Sequence, residues 1–279
     1  MHDGVKNKAG SPKTAQNGVW HLNLSHGDIP PYVILPGAPE RTEVIAKKWD
    51  HSEFVTQNRE FKTIRGTYQE MPIATVSTGI GGPSSEICIN ELSKIGVHTC
   101  IRVGTTGCLQ AQYDLGDLII AVAAVRKDGT SDTYIGSEYP AYAHPIVVMA
   151  LMTACDKLGY RYGLGLDYTT ASFYTGQARP IHEDGTGYYP SFLNNLLSDL
   201  TQAGVTNIEM ETATQFVVGK LHDMRMGAVL SVISNRVTDE WGDAGGEEKS
   251  TLVASEALRI LSDWDARGEI DFHCKMPTL

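Results

Sequence analysis

Positive charge is scarce in this chain: 23 Lys and Arg stand against 33 Asp and Glu, a formal net charge of -10 over 279 residues. A phosphate backbone demands a basic surface, so no nucleic-acid partner is expected. Long apolar runs are missing too, and none approaches the roughly 18 residues of a membrane helix, so no membrane partner is expected. The five cysteines, Cys88, Cys100, Cys108, Cys155 and Cys274, form no CxxC and no paired spacing. An odd count without a secretory signal points to buried thiols in a reducing compartment, and so to a cytoplasmic protein. The nine histidines show no HExxH and no Cys/His clustering, which disfavours zinc. No Pro/Ser-rich linker interrupts residues 30–266, and a single domain is expected over 19–279. Residues 1–18 are polar with no apolar h-region, and read as a disordered leader rather than a signal peptide.

What is present is glycine where strands should end. The apolar run Pro72–Val76 leads into Ser77-Thr-Gly-Ile-Gly-Gly-Pro83, and a helical pattern begins near Ser84. A strand, a glycine turn and a helix start can aim backbone N–H groups at an anion. Such turns also serve simply to pass a strand tightly into a helix. Arg102-Val-Gly-Thr-Thr-Gly107 repeats the logic at the end of the next strand. Pro36-Gly-Ala-Pro39 does so after Tyr32–Leu35, with Pro39 placed to open a helix. Arg41 falls in that helix's first turn, where a cation opposes the helix dipole. Either it is an ordinary solvated arginine, or an anion lies between it and the Gly37 amide.

Further strands are expected at 54–56, 60–67, 98–103, 117–125, 168–173, 205–208 and 226–233. Helices are expected at 40–48, 84–95, 145–158, 212–222 and 247–264. The alternation predicts an α/β class, with a central mixed, largely parallel sheet flanked by helices. Arg41, Arg102, Thr105, Gln177, Arg179, Glu209, Glu211 and Arg236 then gather at the C-terminal strand ends, where open α/β sheets bind ligands. Two arginines and a threonine near glycine turns suit a phosphate. Gln177 offers an acceptor and two donors and Arg179 donors only, which matches the acceptor–donor–acceptor edge of a ring such as uracil. Phe173 beside them offers a stacking face, and Glu211 can accept from a sugar diol. Singly, each has an ordinary explanation: Gln177 as a turn residue, Glu211 as a helix N-terminal charge, Arg236 as a salt-bridge partner.

Ser77-Thr-Gly-Ile-Gly-Gly-Pro-Ser84, Arg102-Val-Gly-Thr-Thr-Gly107, Phe173-Tyr-Thr-Gly-Gln-Ala-Arg179 and Glu209-Met-Glu211 closely resemble the nucleoside phosphorylase family, in its uridine phosphorylase branch. The similarity runs from about Trp20 to the last helix. The first two motifs mark the family at large and Gly-Gln-x-Arg marks the uridine branch. Purine-specific hexameric relatives carry Asp where this chain has Asn235, and Ala38 replaces an Asp common in the bacterial Pro-Gly-Asp-Pro turn.

The resemblance implies reversible phosphorolysis of uridine to uracil and ribose 1-phosphate in pyrimidine salvage, with inorganic phosphate as co-substrate and no organic cofactor. It implies a phosphate site from Gly37, Arg41, Arg102 and Thr105, completed by Arg59 of a neighbouring subunit. Met210 and Glu211 would hold the ribose, with His21 of that neighbour, and Phe173, Gln177 and Arg179 the base. Arg102, Thr105, Gln177 and Arg179 would carry the catalysis. A bacterial potassium site maps to Glu60, Ile80 and Ser84. The partners implied are uridine, phosphate and further copies of the chain, as a dimer or a hexamer with shared sites. Three rivals stand beside this reading: a nucleosidase, a purine phosphorylase and a catalytically silent nucleoside-binding paralogue.

Overall fold

In the computed structural model, which describes residues 8–15 and 17–268, strands and helices alternate along nearly the whole chain. Cys274 and residues 1–7 and 16 of the expected leader lie outside the described residues; within the rest of that stretch, Lys8 bridges Ser11 and Lys13 bridges Val19. In order come β1 (Tyr32–Pro36), α1 (Pro39–Ala46), β2 (His51–Asn58), β3 (Phe61–Tyr68), β4 (Met71–Val76) and α2 (Gly82–Lys94). There follow β5 (Thr99–Cys108), β6 (Leu118–Lys127), β7 (Ala141–Tyr142), α3 (Pro145–Leu158), β8 (Tyr162–Thr170) and α4 (Leu196–Gln202). The chain ends in β9 (Asn207–Glu209), α5 (Thr212–Leu221), β10 (Arg225–Asn235), β11 (Glu240–Trp241) and α6 (Gly246–Ala266).

The sheet is mixed. β1 runs parallel to β4 and β5, β5 to β10, β6 to β8 and β8 to β9. β2, β3, β7 and β11 add antiparallel edges. Because β10 pairs with both β5 and β6, and β9 joins β8 to β5, those five strands close on themselves. Successive side chains of a strand point to opposite faces, and β1 shows the result: Val33 and Leu35 enter one core, Ile34 the other. The first core packs α2 and α5 through Ile89, Leu92, Phe216 and Val217; the second packs α1, α3 and α6 through Ile45, Leu151 and Leu258. Prolines open α1, α2 and α3, where the missing N–H costs nothing and φ is already helical. The four cysteines among the described residues are free and buried, and no helix among them is long and apolar enough to cross a membrane.

Three expectations need correction, and each bears on the site. β5 does not stop at Val103; it continues to Cys108, because Leu230–Asn235 of β10 pair with Gly104–Cys108. The segment Arg102–Gly107 is therefore strand, not a glycine turn. β8 lies earlier than expected, its upstream half disguised by Gly163 and Gly165, so Phe173 falls beyond its end, in a loop. β2 spans eight residues where three were expected, since as an edge strand paired only with β3 it exposes most of its side chains and shows little apolar signal.

Candidate active site

A cavity of about 250 Å³ opens where β1, β5, β9 and β10 end. Of the residues expected in the site, Gly37, Arg41, Arg102, Thr105, Phe173, Gln177, Arg179, Met210 and Glu211 all line it, as does Ile80. Arg59 and His21 do not. Arg59 is exposed in the β2–β3 turn, in the left-handed region at φ 54. His21 sits on a separate groove of about 900 Å³ beside α2, its Nδ1 2.8 Å from Glu91 Oε1. Glu60 and Ser84 meet, Oε1 to Oγ at 2.8 Å, with Ile80 exposed nearby on the cavity rim.

At the floor, Arg102 is buried by carboxylates of its own chain. Its Nη2 lies 2.6 Å from Glu211 Oε2 and 3.1 Å from Glu209 Oε2. Burial works against the guanidinium charge, but Glu211, Glu209 and Asp167 outweigh it and raise the pKa. Asp167, fully buried on β8, has its own carboxyl pushed well above the ordinary range, by burial first and the Glu209 charge next. Gly104 makes room for this arginine: a Cβ there would stand 2.9 Å from Arg102 Nη2 and 3.0 Å from Cζ. Glu209 also stops β9 cleanly, its Oε2 accepting from the Glu211 and Thr212 amides (2.7 and 2.8 Å) at the start of α5, and its Oε1 from the Thr169 hydroxyl (2.5 Å).

The glycine turn after β4 does point an N–H at an anion, and the anion belongs to the protein. Gly81 N donates to Glu211 Oε1 at 2.6 Å. Glu211 is thus held from both sides, and burial still raises its pKa against the lowering effect of Arg102. Arg41, in the first turn of α1, is likewise engaged, its Nη2 2.5 Å from Glu247 Oε1 at the start of α6. Of the three arginines expected at the phosphate, the two that line the cavity, Arg41 and Arg102, therefore carry a carboxylate partner, though the buried Nε of Arg102 has no partner among the described residues.

The other end is built by the loop after β8. Thr175–Gln177 form a single 3₁₀ turn, closed by Gln177 N and Arg179 N donating to Tyr174 O at 3.0 and 2.9 Å. Gly176 is required there, since a Cβ would meet Thr170 Oγ1 at 2.4 Å. Ala178 then takes a left-handed conformation at φ 52, a cost of about 1–2 kcal/mol, and reverses the chain between Gln177 and Arg179. Gln177 is buried, and Arg236 Nη1 donates to its backbone carbonyl at 3.0 Å, so Arg236 braces this turn. Burial first, then Arg236, lowers the Arg179 pKa. One face of Phe173 is taken by the Arg179 guanidinium, 4.5 Å from its centroid, while the residue stays exposed.

Some of the site escaped the sequence. Trp241, Ser234, Ile208 and Ile233 also line the cavity; the two isoleucines sit in apolar stretches and Trp241 among Asp239, Glu240, Gly242 and Asp243, and none of them carries a motif. Asn235 does not line it. Its Nδ2 donates to the carbonyls of Gln110 and Tyr113, and its Oδ1 accepts from Val237 and Thr238 N–H. The purine-marking position is thus occupied with structural bonds.

Residues 31–263 match the family model described as Phosphorylase superfamily. A uridine phosphorylase of Thermococcus kodakarensis is 48% identical over 92% of this chain and 92% of its own length. A uridine phosphorylase of Haemophilus influenzae is 39% identical over 88% and 99%. A guanosine phosphorylase of Halorubrum lacusprofundi is 34% identical over 86% and 95%. The cavity at the strand ends and the match over most of the chain agree: this protein is a member of the phosphorylase superfamily.

Proposed function

We infer that the chain is a uridine phosphorylase, a pentosyltransferase that moves ribose from uracil to inorganic phosphate. One observation carries the reading: a single cavity holds Arg41, Arg102 and Thr105 at one end, Met210 and Glu211 between, and Gln177 with Arg179 at the other. Phosphate enters beside Arg102 and Arg41 and takes guanidinium donors that Glu211 and Glu247 now share. Glu211 turns its acceptor capacity to the ribose diol. A phosphate oxygen forms its bond to the anomeric carbon as the bond to the base nitrogen breaks, and the electron pair leaves with uracil. Gln177 and Arg179 donate to the negative charge developing on that ring. No group of the protein needs to act as nucleophile, and positioning supplies most of the rate. Activity is therefore expected to require phosphate and to yield ribose 1-phosphate. Uracil release from uridine, followed with and without phosphate, is the test; equal rates in phosphate-free buffer would replace this reading by a nucleosidase.

A purine reading draws on the guanosine phosphorylase relative and on Asn235, whose place outside the cavity leaves the missing Asp undecisive. The same assay with inosine and guanosine separates the two. Gln177, buried in the turn that marks the uridine branch, favours uridine.

The working unit is a homo-oligomer with shared sites. The support is that Arg59 and His21 line no part of this chain's own cavity: one is on an exposed hairpin and the other on a separate groove, where each is free to meet another copy. Mixing an Arg59→Ala chain with a Gln177→Ala chain should restore activity in hybrids, which contain one intact site. Hybrids that assemble and stay inactive would mean a self-contained site. Potassium fits the corner where the Glu60 carboxylate meets Ser84 Oγ, a set of hard oxygen donors that would hold a monovalent ion and tie the subunits. The buried free thiols suit a reducing compartment, the cytoplasm.

A further inference from the structure

One wall of the cavity has no part in the reading above. β10 and β11 build it, pairing antiparallel with Ser234 opposite Trp241. Directly opposed residues of an antiparallel pair share a face, and both side chains line the cavity. Fold stability accounts for neither. Trp241 is 63% exposed, an indole at the cavity mouth that gains little from burial. Ser234 is the reverse: 2% exposed, with no hydrogen-bond partner for its Oγ among the described residues. A buried hydroxyl without a partner is costly, and one in a cavity wall is a donor and acceptor ready for a ligand atom.

The wall is also rigid. Asn235 ties its root to Gln110, Tyr113, Val237 and Thr238, and Gly242 N donates to Ile233 O at 2.9 Å to close the short hairpin. Trp241 faces Arg179, whose guanidinium carbon is 5.5 Å from the indole centroid and 4.5 Å from the Phe173 centroid. The arginine assigned to the base is therefore bounded by aromatic rings on two sides, and cation–π attraction restrains its fork.

We propose that Ser234 and Trp241 are base-contacting residues: Trp241 fixes Arg179, covers the base ring and limits its size, and Ser234 Oγ bonds a polar atom of the base. The proposal rests on the reading of this cavity as a nucleoside site. A hydroxyl rotates to donate or accept, so Ser234 adds affinity and leaves the choice between uracil and cytosine to Gln177 and Arg179. Trp241 selects by size, since the wall it forms limits how far a ring can extend.

The test uses the full chain with Trp241→Ala, Trp241→Phe and Ser234→Ala. Uridine and phosphate KM are measured separately, and tryptophan emission is titrated with uracil. Trp241→Ala should raise the uridine KM by about tenfold or more, the scale of base–aromatic contacts, while the phosphate KM stays within about twofold. Trp241→Phe should recover part of that loss, and Ser234→Ala should lower kcat/KM for uridine by about tenfold. Uracil should quench the emission of the wild type, and the quench should vanish in Trp241→Phe although three tryptophans remain of the four in the chain. An unchanged uridine KM in Trp241→Ala, or a quench that persists in Trp241→Phe, would overturn the proposal. A wild type that releases no uracil from uridine with phosphate would instead remove the uridine reading, and the wall is then tested by the same quench with hypoxanthine.

Discussion

Arg102→Ala is expected to lower kcat/KM for uridine by about 10²–10³-fold, the scale of a lost preorganised donor at a reacting centre, and to lower Tm by on the order of 10 °C. The first effect follows from the proposed phosphate site, where Arg102 supplies charge-assisted donors to the nucleophile. The second follows from burial. Arg102 and its partners Glu209 and Glu211 have side-chain exposures of 4%, 1% and 7%. Removing one partner of a buried pair costs about 3–5 kcal/mol, because the other charge is left uncompensated, and each kcal/mol is worth about 2–4 °C in a chain of this size. Arg102→Lys should keep much of the Tm, since the charge remains, while losing activity with the bidentate fork. The loss should also depend on pH. Burial already holds Glu211 above its ordinary value, and without the opposing Arg102 charge it rises further. A carboxyl with a raised folded pKa favours the fold while protonated, and that contribution is lost as pH rises. The Tm deficit of Arg102→Ala should therefore be smaller near pH 5 than near pH 8. Unchanged kcat/KM would place the phosphate elsewhere, and a deficit that grows toward acid would contradict the carboxylate cluster.

How much of this was legible depends on how local each feature is. Gln177 and Arg179 were legible as a pair because they lie two residues apart, but the 3₁₀ turn and the left-handed Ala178 that present them were not read from the sequence. The helix starts at Pro39, Pro83 and Pro145 were legible because their signal is equally local. The Arg102–Gly107 segment was read as a turn because glycines in sequence look alike whether they bend a chain or make room. Here Gly104 makes room, for the guanidinium of Arg102 two residues away, and the β10 pairing that keeps the segment extended is invisible locally. The same limit explains the anion at Gly81. Sequence supplied the donor, but the acceptor is Glu211, brought there by the sheet order rather than by any spacing. Trp241 and Ser234 face the cavity only because a two-residue strand folds back on β10. Counting arginines also mistook the electrostatics: Arg41 and Arg102 sit among Glu209, Glu211 and Glu247, so the floor is balanced rather than strongly positive. In the proposed shared site, Arg59 of another copy would add charge to that balance.

Cytidine should be cleaved at least about 10⁴-fold less efficiently than uridine, the range reached by sites that read hydrogen bonds. Uracil offers an acceptor, a donor and an acceptor along its O2, N3 and O4 edge. Gln177 can meet an acceptor and a donor, and Arg179 can only donate. Cytosine turns the O4 acceptor into an amino donor and the N3 donor into an acceptor, so donors would face a donor beside the buried Gln177. Gln177 is buried, and Arg236 Nη1 donates to its backbone carbonyl, which holds the turn that presents its side chain. Arg179 cannot swing away, with Phe173 on one side and Trp241 on the other. An unpaired buried donor costs about 1–3 kcal/mol, and cytosine leaves more than one, which brings the penalty to the expected size. Gln177→Leu should then cut uridine turnover steeply while leaving the phosphate KM nearly unchanged, because the proposed phosphate site is at the Arg41 and Arg102 end of the cavity. It should also narrow the gap between uridine and cytidine, since part of what rejected cytosine is gone. Wild-type protein that cleaves cytidine as well as uridine, or a Gln177→Leu variant with intact uridine turnover, would mean that this edge of the cavity does not read the base.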